Sequence, residues 1–119
     1  MGERQQQLAS VREDVQRFLN TMLDNIKDFP TLHEETVKFI PHIRSHLIPA
    51  VTAQTRSTAA VQNGLEGLVR WLEILRDNLI SVSPTKTHLV YYWVGKCIAV
   101  LADILLLMDI AMEKTKEGE

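Results

Sequence analysis

The sequence predicts an all-α protein, folded as an antiparallel up-down four-helix bundle. Apolar residues recur at three- and four-residue steps in four long segments, which is the spacing of one face of a helix. Only five glycines and four prolines interrupt the 119 residues, and no long run alternates with strand periodicity. Segments of similar length joined by short turns favour antiparallel neighbours, with three helices or an irregular second helix as the alternative. We expect residues 1–119 to form a single domain.

The first predicted helix carries an apolar stripe close to the amino terminus. The stripe consists of Leu8, Val11, Val15, Phe18 and Met22. We expect this helix to end before Pro30, because proline lacks a backbone N–H and disfavours helical geometry in the residue before it. Thr31 and Glu34 have the spacing of a capping box, which predicts the start of the second helix at this point.

The second predicted helix contains two prolines. Its inward positions are Val37, Ile40, Ile43, Leu47 and Val51. Pro41 and Pro49 each remove a backbone hydrogen bond, so the pattern predicts a kink or a split. The Thr-, Ser- and Gln-rich stretch from Thr52 to Thr58 predicts the next turn, because these side chains compete for backbone hydrogen bonds.

The third predicted helix has the most regular stripe of the four. It consists of Val61, Leu65, Leu68, Leu72, Leu75 and Leu79. Asn63 and Gly64 are an alternative start for this helix, because asparagine caps helices well. Ser83 and Pro84 are typical of an N-cap and a first helical position, so we expect the fourth helix to run from there to about Thr115.

The composition is typical of an ordinary globular protein, with 45% hydrophobic residues, 24% charged residues and a net charge of -2. The basic residues are scattered among acids, which argues against a nucleic-acid surface. Cys97 is the only cysteine, so we expect no disulfide and a cytoplasmic or nuclear location. We find no targeting signal at the amino terminus. Lys96, Asp103 and Asp109 interrupt the most apolar segment, which argues against a transmembrane span.

The residues with potential chemistry form no complete catalytic or metal-binding motif. His42 and His46 have a spacing that zinc can use, but no third ligand follows at a diagnostic distance, so we expect a solvated pair. Cys97 lies on an apolar side, where burial disfavours the thiolate. Neither a nucleophile elbow nor a glycine-rich phosphate loop is present. We therefore expect no enzyme activity, cofactor or metal. The glycines inside predicted helices mark close helix contacts or an irregular helix start: Gly64, Gly67 and Gly95.

The fourth predicted helix is apolar nearly all the way round. Of the 24 residues from Leu89 to Met112, 20 are apolar, and the exceptions are Gly95, Lys96, Asp103 and Asp109. A helix at the edge of a bundle needs one apolar stripe, so this segment has more apolar surface than that role requires. One side is assigned to the core: Val90, Val94, Cys97, Leu101, Leu105, Met108 and Met112.

The opposite side of this helix is the predicted partner-binding site. It consists of Leu89, Tyr92, Trp93, Lys96, Val100, Asp103, Leu107 and Ile110. We expect a non-catalytic interaction or scaffolding module, with this side bound to an identical chain or to a helix of another protein. In a homodimer, a twofold axis near Ala99 sets Lys96 opposite Asp103 of the other chain. The alternatives are coverage by the chain's own helices and a lipid- or membrane-surface-binding bundle, although no face is rich in Lys and Arg.

Overall fold

Helices make up nearly all of the computed structural model, which describes residues 2–52 and 56–116. No strand occurs within these residues, so the predicted all-α fold is confirmed. In chain order the elements are α1 (Gly2–Asp24), α2 (Phe29–His42), a π-helical turn (Ile43–Leu47), α3 (Ile48–Thr52), α4 (Arg56–Leu79), a 3-10 turn (Pro84–Lys86) and α5 (Thr87–Lys116). The molecule measures 52 × 21 × 21 Å, the shape of a bundle of long helices lying side by side.

The helices pack around one core, with α5 between α1 and α4. The helical rod formed by α2, the π-helical turn and α3 lies against α4, and α1 contacts that rod more loosely. Arg12, in the first half of α1, is paired with Asp109, near the end of α5. Phe18 of α1 stacks on Phe39 of α2, with ring centroids 4.0 Å apart. Such contacts support the antiparallel up-down order of the segments, which stays a prediction.

The core is built from the stripes that the periodicity predicts. α1 buries Leu8, Val11, Val15, Phe18 and Met22, and α4 buries Val61, Leu65, Leu68, Val69, Leu72, Leu75 and Leu79. The predicted inner positions of both helices are therefore confirmed. Each large apolar side chain that leaves water in this way contributes about 1.5–3 kcal/mol, so these stripes supply much of the force that holds the helices together.

One position of the second predicted stripe is wrong. Val37 is 43% exposed. The remaining positions are buried as predicted: Ile40, Ile43, Leu47 and Val51. α2 begins at Phe29 and turns Leu32 and Thr36 toward the core. Since successive residues of a helix are about 100° apart, Val37 lies beside the inner arc that Thr36 occupies.

The turn between α1 and α2 differs from the predicted capping box. Asp28 is the N-cap residue of α2, and its Oδ1 accepts the backbone N–H of Thr31 at 3.2 Å. The Thr31 hydroxyl donates to Oδ2 of Asp28 at 2.8 Å. Pro30 lies in the first turn of α2, where its missing N–H costs nothing. The box predicted at Thr31 and Glu34 is therefore wrong, and Glu34 instead pairs with Lys38.

The interruption predicted in the second segment is present just after Pro41. Residues Ile43–Leu47 form a π-helical turn between α2 and α3. Pro41 has no N–H to donate into the helix, and prolines and single π-helical turns are both recognised interruptions of an α-helix. The hydroxyl of Ser45 donates to the carbonyl oxygen of Pro41 at 2.8 Å. Ile43 and Leu47 stay buried, and α2, the π-helical turn and α3 follow one another without a gap, so the segment remains one helical rod.

The predicted turn at Thr52–Thr58 lies partly outside the described residues, at positions 53–55. α4 is already helical at Arg56, so the alternative start at Asn63 and Gly64 is wrong.

The start of α5 lies close to the predicted position, but a 3-10 turn precedes the helix and the predicted N-cap residue does not cap it. Ser83 precedes a 3-10 turn that begins at Pro84, and α5 itself begins at Thr87. The carbonyl oxygen of Ser83 accepts the backbone N–H of Lys86 at 3.0 Å. The Ser83 hydroxyl bonds the hydroxyl of Thr85 at 3.0 Å and caps no backbone amide.

Gly64 marks the closest approach of α4 to α5 among the described glycines. A Cβ atom at this position would lie 2.9 Å from Cγ1 of Ile104 and 3.8 Å from Cδ1 of Leu107. The same atom at Gly67 or Gly95 would meet nothing within 4 Å. The close-contact explanation therefore holds for Gly64 and fails for the other two glycines within this chain.

Alanine substitutions in α4 test this contact. We expect Gly64→Ala to lower the free energy of unfolding by about 1 kcal/mol, because overpacking against Ile104 outweighs the gain in helix propensity. Gly67→Ala is the matched control, and we expect it to raise the free energy of unfolding by about 0.5–1 kcal/mol. Urea denaturation followed by circular dichroism measures both values. Equal stabilisation by the two substitutions would contradict the contact.

Thr36 offers a second test of the core. Its Oγ1 is buried and has no hydrogen-bond partner. Because an unpaired buried hydroxyl costs about 1–3 kcal/mol, we expect the nearly isosteric Thr36→Val to raise the midpoint of thermal unfolding. Thr36→Ser, which keeps the hydroxyl and loses the methyl group, should lower this midpoint. Destabilisation by Thr36→Val would show that the hydroxyl is paired.

Candidate protein-protein interface

The inner side of α5 is part of the core. Its buried residues are Val90, Val94, Cys97, Leu101, Ile104, Leu105, Met108 and Ala111. Six of these match the side that the sequence assigns to the core. Ile104 and Ala111 were not predicted, and Met112, which was, is half-buried. α1 and α4 contact α5 from two sides, which widens the buried arc beyond a single stripe.

The opposite side of α5, called the outer face below, lies on the surface. It consists of His88, Tyr92, Gly95, Lys96, Ala99, Ala102, Asp103, Leu106 and Ile110, all of which are exposed. Leu106 is 61% exposed, Tyr92 52% and Ile110 47%. These side chains recur three or four residues apart and therefore form one line along the helix. A row of large exposed apolar side chains is typical of a binding surface.

The eight predicted interface residues divide into two groups. Leu89, Tyr92, Lys96, Asp103 and Ile110 are exposed, whereas Trp93, Val100 and Leu107 are half-buried. The second group packs against the core. Trp93 lies 5.6 Å from Trp71 of α4, measured between ring centroids. These three residues therefore help to attach α5 to α4, and only part of each side chain faces solvent.

The exposed arc is centred on Ala99, whereas the predicted side is centred between Lys96 and Leu107. The two directions differ by about 65° around the helix, because α4 lies close to the Val100 side. Leu106 is the most exposed apolar residue of α5, and the sequence prediction missed it. One signal was available, since Tyr92, Ala99 and Leu106 are spaced by seven residues and must share a face. Which face stays uncovered depends on the neighbouring helices.

An aromatic cluster lies on the flank of the outer face that is nearer to α4. Tyr92 contacts Trp93 edge-to-face, with ring centroids 5.0 Å apart. Nζ of Lys96 lies 5.4 Å from the ring centroid of Tyr92 and 5.9 Å from that of Trp71. Both distances are within the range of cation–π attraction. The cluster therefore holds the ammonium group at the surface, and Trp71 is a member that sequence periodicity in α5 cannot reveal.

The flank nearer to α1 is fixed by polar contacts. Nε of Arg12 donates to Oδ1 of Asp109 at 2.6 Å, and Nη2 donates to Oδ2 at 3.3 Å. The hydrogen bond to Asp109 raises the pKa of Arg12. Gln5 donates its side-chain N–H to the carbonyl oxygen of Met112 at 2.8 Å. Asp109 is therefore neutralised within the chain, whereas Asp103 has no ion pair among the described residues.

The histidine pair is held by contacts within the chain. Nε2 of His42 lies 2.8 Å from Oδ2 of Asp14, and the rings of His42 and His46 are stacked at 4.9 Å. Nδ1 of His46 bonds the hydroxyl of Ser45 at 2.7 Å. An open groove of about 250 Å³ between α1 and α2 is lined in part by Asp14, His42 and Phe39. Within the described part of the chain, no three metal-donor side chains converge.

Comparisons of the chain with protein-family models, with curated proteins and with solved structures gave no match. In residues 2–52 and 56–116, no helix has the length and apolar character needed to cross a membrane.

Cys97 lies two residues from the centre of the outer face but points inward, fully buried. Burial raises the pKa of its thiol to about 12, because the apolar core disfavours the thiolate. At pH 8 only about one thiol in ten thousand is then ionised in the folded protein. The structure thus supports the sequence interpretation of Cys97 as a structural residue, and it leaves the outer face without a thiol.

Thiol labelling tests the burial of Cys97. We expect iodoacetamide at pH 8 to modify the native chain at least about a hundredfold more slowly than the chain in guanidinium chloride, because the thiol must be exposed and ionised to react. The control is Ala59→Cys, at an exposed alanine of α4, whose new thiol should react rapidly in the native protein. Mass spectrometry counts the modified thiols. Equal rates at positions 97 and 59 would contradict the burial.

Proposed function

We propose that the chain is a non-catalytic protein-protein interaction module, of the adaptor or scaffold type, that binds a helix on the outer face of α5. The observation that carries the proposal is the line of exposed apolar side chains at Tyr92, Leu106 and Ile110. Lys96 and Asp103 lie on the same face and form no ion pair within the described part of the chain. A surface of this kind joins apolar area with charges that are free to specify a partner.

The shape of the outer face favours a helical partner. Its exposed apolar residues follow one helix for 19 residues, from Tyr92 to Ile110, which corresponds to about 27 Å at 1.5 Å per residue. The middle of this line is low, because Gly95, Ala99 and Ala102 have small or no side chains. A long shallow surface with larger apolar residues at both ends matches the face of a second helix.

The energy available is sufficient for a moderate affinity. Apolar surface that leaves water contributes about 25 cal/mol per Å², so burial of a few large side chains contributes several kcal/mol before the costs of association are subtracted. Tyr92 is well suited as an anchor, because its ring is already held against Trp93 and loses little freedom on binding.

A cytoplasmic or nuclear location accords with this proposal. The one cysteine is a free, buried thiol, which is typical of a reducing compartment.

The charge of the outer face does not favour binding to a lipid surface. Asp103 and Glu113 are exposed on or beside the outer face, whose one lysine or arginine is Lys96. Helices that lie on membranes usually carry rows of Lys and Arg that attract anionic headgroups. A protein partner is therefore the better occupant.

Photo-crosslinking in cells that produce the chain tests the module. We expect p-benzoylphenylalanine in place of Leu106 to give one discrete adduct, whose second component is identified by mass spectrometry. The same group in place of Leu23, which is 50% exposed on α1, is the matched control and should give none. Ile110→Glu should abolish the adduct at position 106, because a carboxylate in a buried contact is costly.

Two results would overturn the proposal. One is the absence of any adduct from position 106 together with a monomeric purified chain at high micromolar concentration. The other is flotation of the purified chain with phosphatidylcholine–phosphatidylserine vesicles that is lost on Leu106→Glu and kept on Leu23→Glu. That second result would identify the outer face as a lipid-binding surface.

A further inference from the structure

We infer that the occupant of the outer face is a second copy of this chain, whose α5 lies antiparallel to the first about a twofold axis at Ala99. The inference rests on the proposed function and names the partner that the outer face fits. Three features carry it: the order of side chains on the two sides of Ala99, two charges on one flank, and a glycine that the fold itself does not require.

The outer face is complementary to its own reversed copy. Tyr92 and Leu106 lie seven residues before and seven residues after Ala99. In an antiparallel pair with its axis at Ala99, each Tyr92 therefore meets the Leu106 of the second copy. Both side chains are exposed in the single chain, and both become buried in the pair. The aromatic ring of one copy thus covers the aliphatic group of the other, twice.

The two charges are placed so that they also meet. Lys96 lies three residues before Ala99, and Asp103 lies four residues after it. Seven residues turn a helix by about 700°, so the two side chains lie within about 20° of each other and share one flank. A twofold axis perpendicular to an antiparallel pair keeps each flank on the same side of the pair. Lys96 of each copy therefore faces Asp103 of the other copy.

Both charges are available for such a pair. Asp103 has no ion pair among the described residues, in contrast to Asp109, which Arg12 neutralises. The ammonium group of Lys96 lies over the rings of Tyr92 and Trp71 and makes no ion pair in the described structure. The rings fix the position of the ammonium group and leave its N–H donors free. A partner carboxylate thus finds a positioned cation.

The centre of the outer face permits a close approach of two helix backbones. Gly95, Ala99 and Ala102 are exposed, and a Cβ atom at Gly95 would meet nothing within 4 Å. Glycine inside a helix lowers its stability relative to alanine, so its presence at an open position has no explanation within the single chain. The backbone of a second copy close to Gly95 would explain the glycine there, just as the nearby side chain of Ile104 explains Gly64.

A helix from an unrelated protein does not require these features together. Such a partner would need complementary residues of its own, but the outer face would have no reason to match its own reverse. The pairing of Tyr92 with Leu106 is centred at residue 99, and that of Lys96 with Asp103 lies midway between residues 99 and 100, so both specify the same twofold arrangement to within one residue. The second copy is therefore the occupant that the charges and the side-chain order favour.

Disulfide trapping tests the register directly. We expect Ala99→Cys to form a covalent dimer under mild oxidation, because residue 99 meets its own copy at the axis and two cysteines must approach closely to be joined. Tyr92→Cys alone and Leu106→Cys alone should form little dimer, whereas a mixture of the two should form a mixed dimer. Cys97 is buried and does not compete. Ala59→Cys, at an exposed alanine of α4, is the matched control.

Sedimentation velocity of the full chain tests the charges. We expect the wild type to associate reversibly in the micromolar range and Asp103→Lys to weaken this association by about tenfold or more. Lys96→Glu combined with Asp103→Lys should restore it to within about threefold of the wild type, although the ring contacts of Lys96 are lost. Circular dichroism checks that each variant keeps its helical content.

The outcomes separate this inference from the proposed function. A monomeric wild type at high micromolar concentration overturns the second copy as occupant, and the interaction module still stands if position 106 crosslinks to another protein. A dimer in which Ala99→Cys fails to crosslink, or in which the double charge variant stays as weak as Asp103→Lys, also overturns the inference. Dimerisation with the expected crosslinks and charge rescue supports it.

Discussion

The excess of apolar surface on α5 is the constraint on which the rest of this structure depends. A helix in a four-rod bundle has two adjacent neighbours, so part of its circumference always faces outward. α1 and α4 meet this condition with polar residues outside, such as Arg17 and Arg70, which are both exposed. On α5 the outward arc instead carries Tyr92, Leu106 and Ile110. The inner side of α5 is therefore covered by its neighbours, and this line of apolar side chains on its outer face stays exposed to water.

The distribution of charge along α5 matters less for stability than for the choice of a partner. Exposed ion pairs contribute only about 0–1 kcal/mol, so the contact between Arg12 and Asp109 adds little to the core. Its effect is to remove one anion from the surface. Asp103 and Lys96 remain available to pair with charges of a binding partner. Charges in such positions mainly set the register and orientation of the partner. The apolar residues would supply the area, and the charges the specificity.

The parts of this fold that follow from local periodicity were predictable, and the parts that depend on competing local contacts were not. Leu65, Leu68 and Leu72 lie inside because their spacing permits one inner face. The start of α2 was misplaced because Thr31 and Glu34 match the spacing of a capping box, although Asp28 is the better N-cap residue by type and caps the helix. Thr36 and Val37 both flank Ile40 on α2, and the packing of neighbouring helices covers Thr36, a polar residue that hydropathy patterns would leave outside.

The sequence by itself determined that the chain is helical, which stripes form the core and that α5 has apolar surface to spare, because periodicity and composition act within a few turns of one helix. The tertiary structure alone decided which arc of α5 stays uncovered. Trp93, Val100 and Leu107 turn toward α4, and Leu106 is left outside, because the positions of two neighbouring helices fix the buried arc. Likewise, Gly64 and Gly95 both lie inside long helices, and the sequence does not distinguish their roles. Only the tertiary structure does, because Ile104 lies close to Gly64 and nothing lies close to Gly95.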